Sequence, residues 1–285
     1  MKHNVIKTKK LERDEARFPE KLRAVKPVVK QIWYRGEFNK TIFDKCCAVV
    51  GSRKMSRYGK QVLAEIIPKL CGAGYTIVSG LMYGVDQEAH KLTLECGGVA
   101  IGVLGWGIGA KAEEGADKLI EKIVDSGGLI LSEYEGQTSA RIWTFPQRNR
   151  IVVALSEMVI VVEAGEKSGS LNTASWARRM KKPVYAVSGS IFSPTSIGTN
   201  NLIEMGIAKS FTLQNIVSEK VGRLKINFSE GEQEIVTLLK IEGPMGVNEM
   251  ARRLGSGVGE VLARLMKLEM SGIVDEERGI WTAVA

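Results

Sequence analysis

CCAVVGSRKMSRYGKQVLAEIIPKLCGAGYTIVSG, residues 46–80, is the stretch whose reading decides the fold. Its opening run, Cys46–Val50, is continuously apolar and ends in Gly51-Ser52-Arg53. A helical pattern follows over Arg57–Leu70, and a second apolar run, Tyr75–Ser79, ends in Gly80. Unbroken apolar runs of this length are what strands covered on both faces require. The same alternation recurs downstream. Val99–Leu104, Leu129–Ser132, Met158–Val162 and Val184–Val187 read as strands, while Asp86–Leu94, Ala116–Val124 and Thr173–Met180 read as helices. Repeated strand–helix alternation predicts an α/β fold with a doubly wound, mostly parallel sheet. In such sheets ligands bind at the carboxyl ends of the strands, so the turns that follow them are where chemistry is to be sought.

Outside this core the pattern changes twice. Residues 1–45 are charged and broken by Pro19 and Pro27, and read as a basic, irregular N-terminal segment. Residues 46–211 carry the alternation, and residues 212–228 read as a linker. From 229 to 285 the pattern gives a helix near Glu232–Lys240, a second over Val247–Leu254, and a longer third with Val258, Leu262, Leu265 and Leu268 on one face. Two short strands around Glu276–Gly279 close the chain. Three helices and a hairpin in so short a stretch predict a winged helix.

Charge is unevenly spread over the 285 residues. Residues 1–45 hold 13 Lys/Arg against 6 Asp/Glu, residues 46–228 hold 21 against 16, and residues 229–285 hold 6 against 10. A polyanionic partner is therefore expected on the first 228 residues rather than on the tail. The four cysteines, Cys46, Cys47, Cys71 and Cys96, form no CxxC, and two histidines cannot complete a zinc set. Three of the four sit in or beside apolar runs and read as small core residues in a reducing compartment. A lysine-rich start without an apolar stretch reads as no signal peptide, and no run reaches membrane-spanning length. The expectation is a cytoplasmic protein with no metal, no cofactor and no membrane partner.

The strand ends supply the candidate site. Gly51-Ser52-Arg53 places a glycine, a hydroxyl and a forked cation after the first strand, where N–H groups can cradle an anion; a tight turn calls for the same glycine. Ser79 and Gly80 end the second strand. Beyond them, Asp86 can cap the following helix, and His90 is as readily structural as functional. Gly105-Trp106-Gly107-Ile108-Gly109 is no dinucleotide fingerprint. Phe145-Pro146-Gln147-Arg148-Asn149-Arg150 sets two arginines and an aromatic around a helix-starting proline, a combination suited to a phosphate chain and an unpaired base. Arginines making surface ion pairs would look the same. Lys167-Ser168-Gly169-Ser170 forms another anion seat before a helix, although a plain helix cap needs similar residues.

Together, VGSR at 50–53, SGLMYGVDQEAH at 79–90, FPQRNRIVVALS at 145–156, VVEAGEKSGSLNTA at 161–174 and GTNNLIEMG at 198–206 resemble the DprA/Smf family, in family order. The resemblance covers roughly residues 30–211, and the tail resembles the family's winged helix. It implies an extended Rossmann-like fold, a homodimer, single-stranded DNA binding and loading of RecA recombinase onto that DNA, with no catalysis. It maps an anion pocket onto Gly51, Ser52, Arg53, Ser79 and Gly80, and a DNA-contacting segment near Phe145, Arg148, Asn149 and Arg150. A small-residue loop maps onto Lys167, Ser168, Gly169 and Ser170. Three positions depart from the family. Met82-Tyr83-Gly84 stands where Ala-Arg-Gly is usual, which removes a cation and offers Tyr83 as a base-stacking ring. Ser188 replaces a proline, and Lys111–Glu114 lacks the usual Tyr-Pro. The alternative is a nucleotide-binding Rossmann protein acting as a phosphoribohydrolase or nucleotide sensor. Against the hydrolase, its PGGxGTxxE loop reads SGSLNTA here, without the catalytic glutamate, and Glu163 reads as structural.

Overall fold

The structure is a computed structural model describing residues 8–111, 116–213, 229–270, 273–277 and 279–283. The chain divides into two compact units, residues 1–220 and 221–285. In the first, β1 (Lys9–Glu12), a short α1 (Glu20–Arg23) and β2 (Gln31–Gly36) precede the alternating core. That core runs β3 (Cys46–Val50), α2 (Arg57–Gly72), β4 (Thr76–Ser79), α3 (Val85–Glu95), β5 (Ala100–Leu104), α4 (Ala116–Asp125) and β6 (Leu129–Ser132). It continues through α5 (Thr144–Leu155), β7 (Met158–Val161), α6 (Gly169–Arg179), β8 (Val184–Ala186), α7 (Ile197–Glu204) and β9 (Lys209–Ser210). The strands form one sheet in the order β1-β2-β6-β5-β4-β3-β7-β8-β9. Pairing is parallel from β6 to β9, and β2 joins β6 antiparallel.

The apolar runs form strands because both sheet faces are covered. Cys46, Ala48 and Val50 pack with Ile151–Leu155 of α5 and Ala174 of α6, while Cys47 and Val49 pack with Leu63, Ile66, Ile67 and Leu70 of α2. Successive side chains of β3 thus enter opposite layers, and no polar position is tolerated. From β3 the chain winds outward through β4, β5 and β6, then returns to lay β7 on the other side of β3. The crevice between the ends of β3 and β7 is the topological switch point, the expected ligand position in an open α/β sheet.

The N-terminal segment corrects the reading of residues 1–45 as irregular. β1 and β2 extend the sheet beyond β6, and Leu11, Phe18, Leu22, Val25, Val29, Ile32 and Tyr34 are buried. Here β1 offers only Leu11 between Lys10 and Glu12, and β2 only the short run Ile32-Trp33-Tyr34 between polar residues, so neither carries the signal of the longer core runs.

The linker expected at 212–228 lies outside the described residues beyond Leu213, and residues 112–114 of the Lys111–Glu114 departure also lie outside them. The second unit contains α8 (Glu230–Glu242), β10 (Met245–Gly246), α9 (Val247–Leu254), α10 (Val258–Met270), β11 (Val274–Glu277) and β12 (Ile280–Ala283). The strands form a three-stranded sheet, β10-β12-β11, giving the expected winged helix. Its core is Ile235, Leu239, Met245, Met250, Val261, Leu265, Leu268, Val274 and Trp281. The buried face of α10 is Val261, Leu265 and Leu268: Leu265 and Leu268 stand on it as expected from the sequence, with Val261 in place of Val258 and Leu262. Val258 in the opening turn and Leu262, about 100° around the helix from Val261, are both exposed. Among the described residues, no helix is long and apolar enough to cross a membrane.

Candidate functional site

A cavity of about 780 Å³ opens at the switch point. Val50 to Lys54 after β3, Gly80 and Met82 after β4, and Gly165 with Lys167 to Ser170 after β7 line it. Phe145, Pro146, Arg148, Asn149 and Val152 of α5 close one side. With Pro194 and Thr195 of the loop after β8, five separate segments of sequence converge here, because each follows a strand or opens a helix at the same edge of the sheet.

The glycines shape this mouth. A Cβ on Gly51 would lie 2.7 Å from Val85, so this glycine makes room for the packing of α3. Gly84 adopts φ +85°, a conformation that side chains resist, and a Cβ there would run into the Ser52 and Arg53 carbonyls. The β3 and β4 loops are therefore pressed together. Gly105 leaves space for the ring of Phe145, which a Cβ would meet at 2.8 Å.

Arg53 is exposed, and its guanidinium stands 5.6 Å from the ring centre of Tyr83 and 5.3 Å from that of Phe145. Among the described residues it has no ion pair. Lys54 and Lys167 are also exposed at the rim. Ser52 is nearly buried, and its hydroxyl accepts from Lys54 N at 3.0 Å. Across the mouth, Ser168 caps the 11-residue α6, accepting from Ser170 N at 3.4 Å. The Gly169 and Ser170 end of that helix thus offers its positive pole beside Lys167. The mouth is cationic and rich in N–H and hydroxyl donors, an environment for an anion.

The floor is a buried polar network. Ser79 is fully buried, and its hydroxyl donates to Val49 O at 2.6 Å, so it supports the strand ends without reaching the cavity. Arg148 is 3% exposed. Its Nη1 donates to Gly80 O at 2.6 Å and also to Val103 O, and its Nε donates to Asn149 Oδ1 at 3.2 Å. Asn149 in turn reaches Gly169 O and Asn172 Oδ1, both at 3.4 Å, tying α5 to α6. Asp86 accepts from Gly80 N at 3.1 Å. Burial raises its pKa, opposed by the Arg148 charge, the Ser79 hydroxyl and the Met82 and Gly80 backbone. Burial likewise holds His90 down to about 4, so it is neutral at ordinary pH and structural.

Arg150 is not part of the cavity. Its side chain is fully buried; Nη2 pairs with Glu133 at 2.6 Å, Nε donates to Pro27 O at 3.1 Å and Nη1 to Gln147 O at 2.9 Å. A helix turns residues two apart in sequence to different faces, which sends Arg148 toward the site and Arg150 into the core. Glu163 is 1% exposed and accepts from Ser56 N, Ser56 Oγ and Thr195 Oγ1, as a structural acid should. The sequence reading missed Lys54, whose signal was its place directly after Arg53. It also missed Asp86 as a partner of Arg148 and took it as a cap. Among the described residues, no group of three His, Cys, Asp or Glu side chains is arranged to hold a metal.

Comparison with known proteins gives a consistent set of likenesses. Residues 9–222 match the family described as DNA recombination-mediator protein A, and residues 227–279 match the DprA winged helix domain. Protein Smf of Escherichia coli is 32% identical over 273 residues, 91% of this chain and 73% of that protein. The putative DNA processing protein DprA of Mycobacterium tuberculosis is 32% identical over 255 residues, covering 84% of this chain. The match takes in 64% of the mycobacterial protein, just under two thirds of its length. Two solved structures each superpose with a TM-score of 0.68. DNA processing protein A of Streptococcus pneumoniae is 33% identical, covering 75% of this chain and 74% of that one. DNA processing protein A of Helicobacter pylori, described for its single-stranded DNA binding mode, is 30% identical, covering 76% of this chain and 97% of that one.

Proposed function

The chain belongs to the DNA recombination-mediator protein A family, and from that premise we propose that it binds single-stranded DNA at the switch-point cavity and loads RecA recombinase onto it. The observation that carries the reading is the exposed Arg53, without an ion pair among the described residues, held between two aromatic rings at a cationic mouth. Fixed charge there takes phosphates, and the remaining phosphate affinity comes from Lys54, Lys167 and the N-terminus of α6. Arg148 and Asn149 brace the floor, and Ser79 and Gly80 fix the strand ends beneath them. Gly51 and Ser52 shape the turn that presents Arg53.

The chain acts as a homodimer in the cytoplasm on this proposal, and it turns over no nucleotide. The buried Asp86 and Arg148 brace the floor through hydrogen bonds, and Glu163 spends its oxygens on Ser56 and Thr195. The winged helix contacts protein rather than phosphate. Its charge balance is acidic, and Val258, Leu262 and Met266 form an apolar stripe on the exposed side of α10.

A salt titration comparing single-stranded and duplex DNA of equal length tests the core of the reading. Tighter single-strand binding, falling steeply with salt, is expected. Equal or tighter duplex binding overturns it, and release of free base from AMP at enzyme-like rates promotes the hydrolase reading. For the mediator step, the protein should accelerate RecA filament growth on single strands precoated with single-strand-binding protein; no acceleration removes that step while leaving DNA binding intact.

A further inference from the structure

Resting on the single-strand reading above, we propose that Tyr83 is a nucleobase-stacking residue, so that Arg53 and Tyr83 together engage one nucleotide, phosphate on the guanidinium and base on the ring. Tyr83 is 46% exposed at the tip of the loop after β4. Among the described residues its ring has one charged partner, Arg53, and no aromatic partner. Phe145, the other ring beside Arg53, is half-buried and packs edge-on against Trp106 at 6.3 Å. Of the two rings, Tyr83 presents the more open face.

The backbone holds that face still. Leu81 sits at φ +60° with its side chain fully buried, an unfavourable conformation for leucine that only a packed surround maintains. Gly84, three residues on, is pressed against the Ser52 and Arg53 carbonyls. The loop that carries Tyr83 is thus keyed into the loop that carries Arg53, and the two backbones that present ring and cation are held together before any ligand arrives. Pre-organisation of this kind saves the ordering cost of binding.

An exposed aromatic on a rigid loop beside a fixed cation fits a nucleotide with an unstacked base. Every base has a π-face, so the contact tolerates any sequence. Bases inside a duplex are already stacked, so the ring has nothing to take from them. The single-strand preference is therefore located in Tyr83, and the general phosphate affinity in Arg53 and the lysines.

Three probes separate the contributions: a single-stranded oligonucleotide, the same length made entirely of abasic sites, and a duplex. With wild-type melting temperature retained, Tyr83→Ala is expected to lose about tenfold in affinity for the normal single strand and little for the abasic strand or the duplex. Tyr83→Phe should keep wild-type affinity, because the ring and not the hydroxyl is used. Tyr83→Arg should restore affinity only with a steeper salt dependence and no preference for bases. Equal loss by Tyr83→Ala on normal and abasic strands overturns the inference, since the ring would then serve only to orient Arg53. Absence of any loss on the normal strand overturns it as well. Both outcomes leave DNA binding standing; a wild-type protein that binds none of the three probes removes the single-strand reading and this inference with it.

Discussion

Arg150 and Glu133 form an ion pair at 2.6 Å in which the arginine is fully buried. The guanidinium also donates to Pro27 O, which ties the N-terminal segment to α5. Removing one member strands the other's charge away from water, and breaking such a pair costs about 3–5 kcal/mol. Glu133→Ala and Arg150→Ala are therefore expected to lower the melting temperature by on the order of 10 °C. Thermal unfolding followed by circular dichroism checks this. A variant melting within a degree or two of wild type would return Arg150 to the list of candidate DNA contacts.

Arg53 is the opposite case. It is exposed, has no ion pair among the described residues, and lies against two rings. Arg53→Ala should leave the melting temperature unchanged and weaken single-strand binding about tenfold or more, the loss of one charge-assisted contact of roughly 1.5–3 kcal/mol. Arg53→Lys keeps the charge but not the fork and should recover part of the affinity. The logarithmic salt slope should fall by about 0.7, one phosphate's share on a single strand. Melting and affinity measured on one preparation separate this from a loop-bracing role, in which stability alone would drop.

These two arginines also mark how far the sequence could be read. The strands of the core were legible because Cys46–Val50 and Met158–Val161 are buried on both faces and so unbroken in apolar character. The position of the site followed, since the segments after those strands must converge at one sheet edge. What Arg150 does was not legible, because its partners come from residues 17 and 123 positions away. The edge strand β1 and its neighbour β2 were missed for a related reason. β1 buries Leu11 alone, and the short β2 run of Ile32, Trp33 and Tyr34 meets cores assembled elsewhere in the chain. That Val85 packs behind Gly51 was not legible either, since only the fold brings the two together.

His90 makes the stability of the protein sensitive to acid. Burial lowers its pKa from 6.5 to about 4. The unfolded chain therefore binds a proton between those values that the folded chain refuses, so stability falls as pH falls. The contribution is fully present above about pH 6.5 and is lost progressively toward pH 4, amounting to roughly 3 kcal/mol. Comparing denaturant unfolding at pH 7 and pH 4.5 for wild type and His90→Gln checks it. The variant should show a flatter dependence, and parallel curves would mean that burial does not depress the His90 pKa.

Residues 229–285 are expected to be dispensable for single-strand binding. Their apolar residues, from Ile235 to Trp281, form a core of their own, while the sheet of the first unit is packed by three separate clusters. Neither core is opened by cutting between them. The tail carries 6 Lys/Arg against 10 Asp/Glu, so it supplies no net attraction for phosphate, and the exposed stripe on α10 is apolar. A chain ending at residue 228 should keep a cooperative unfolding transition and bind single strands within about twofold of the full chain, with the same salt slope. If RecA loading uses the tail as a protein contact, that step should fail in the truncated chain while DNA binding persists. A folded truncation that lost most of its single-strand affinity would make the winged helix a DNA reader, and the apolar stripe on α10 would then need another explanation.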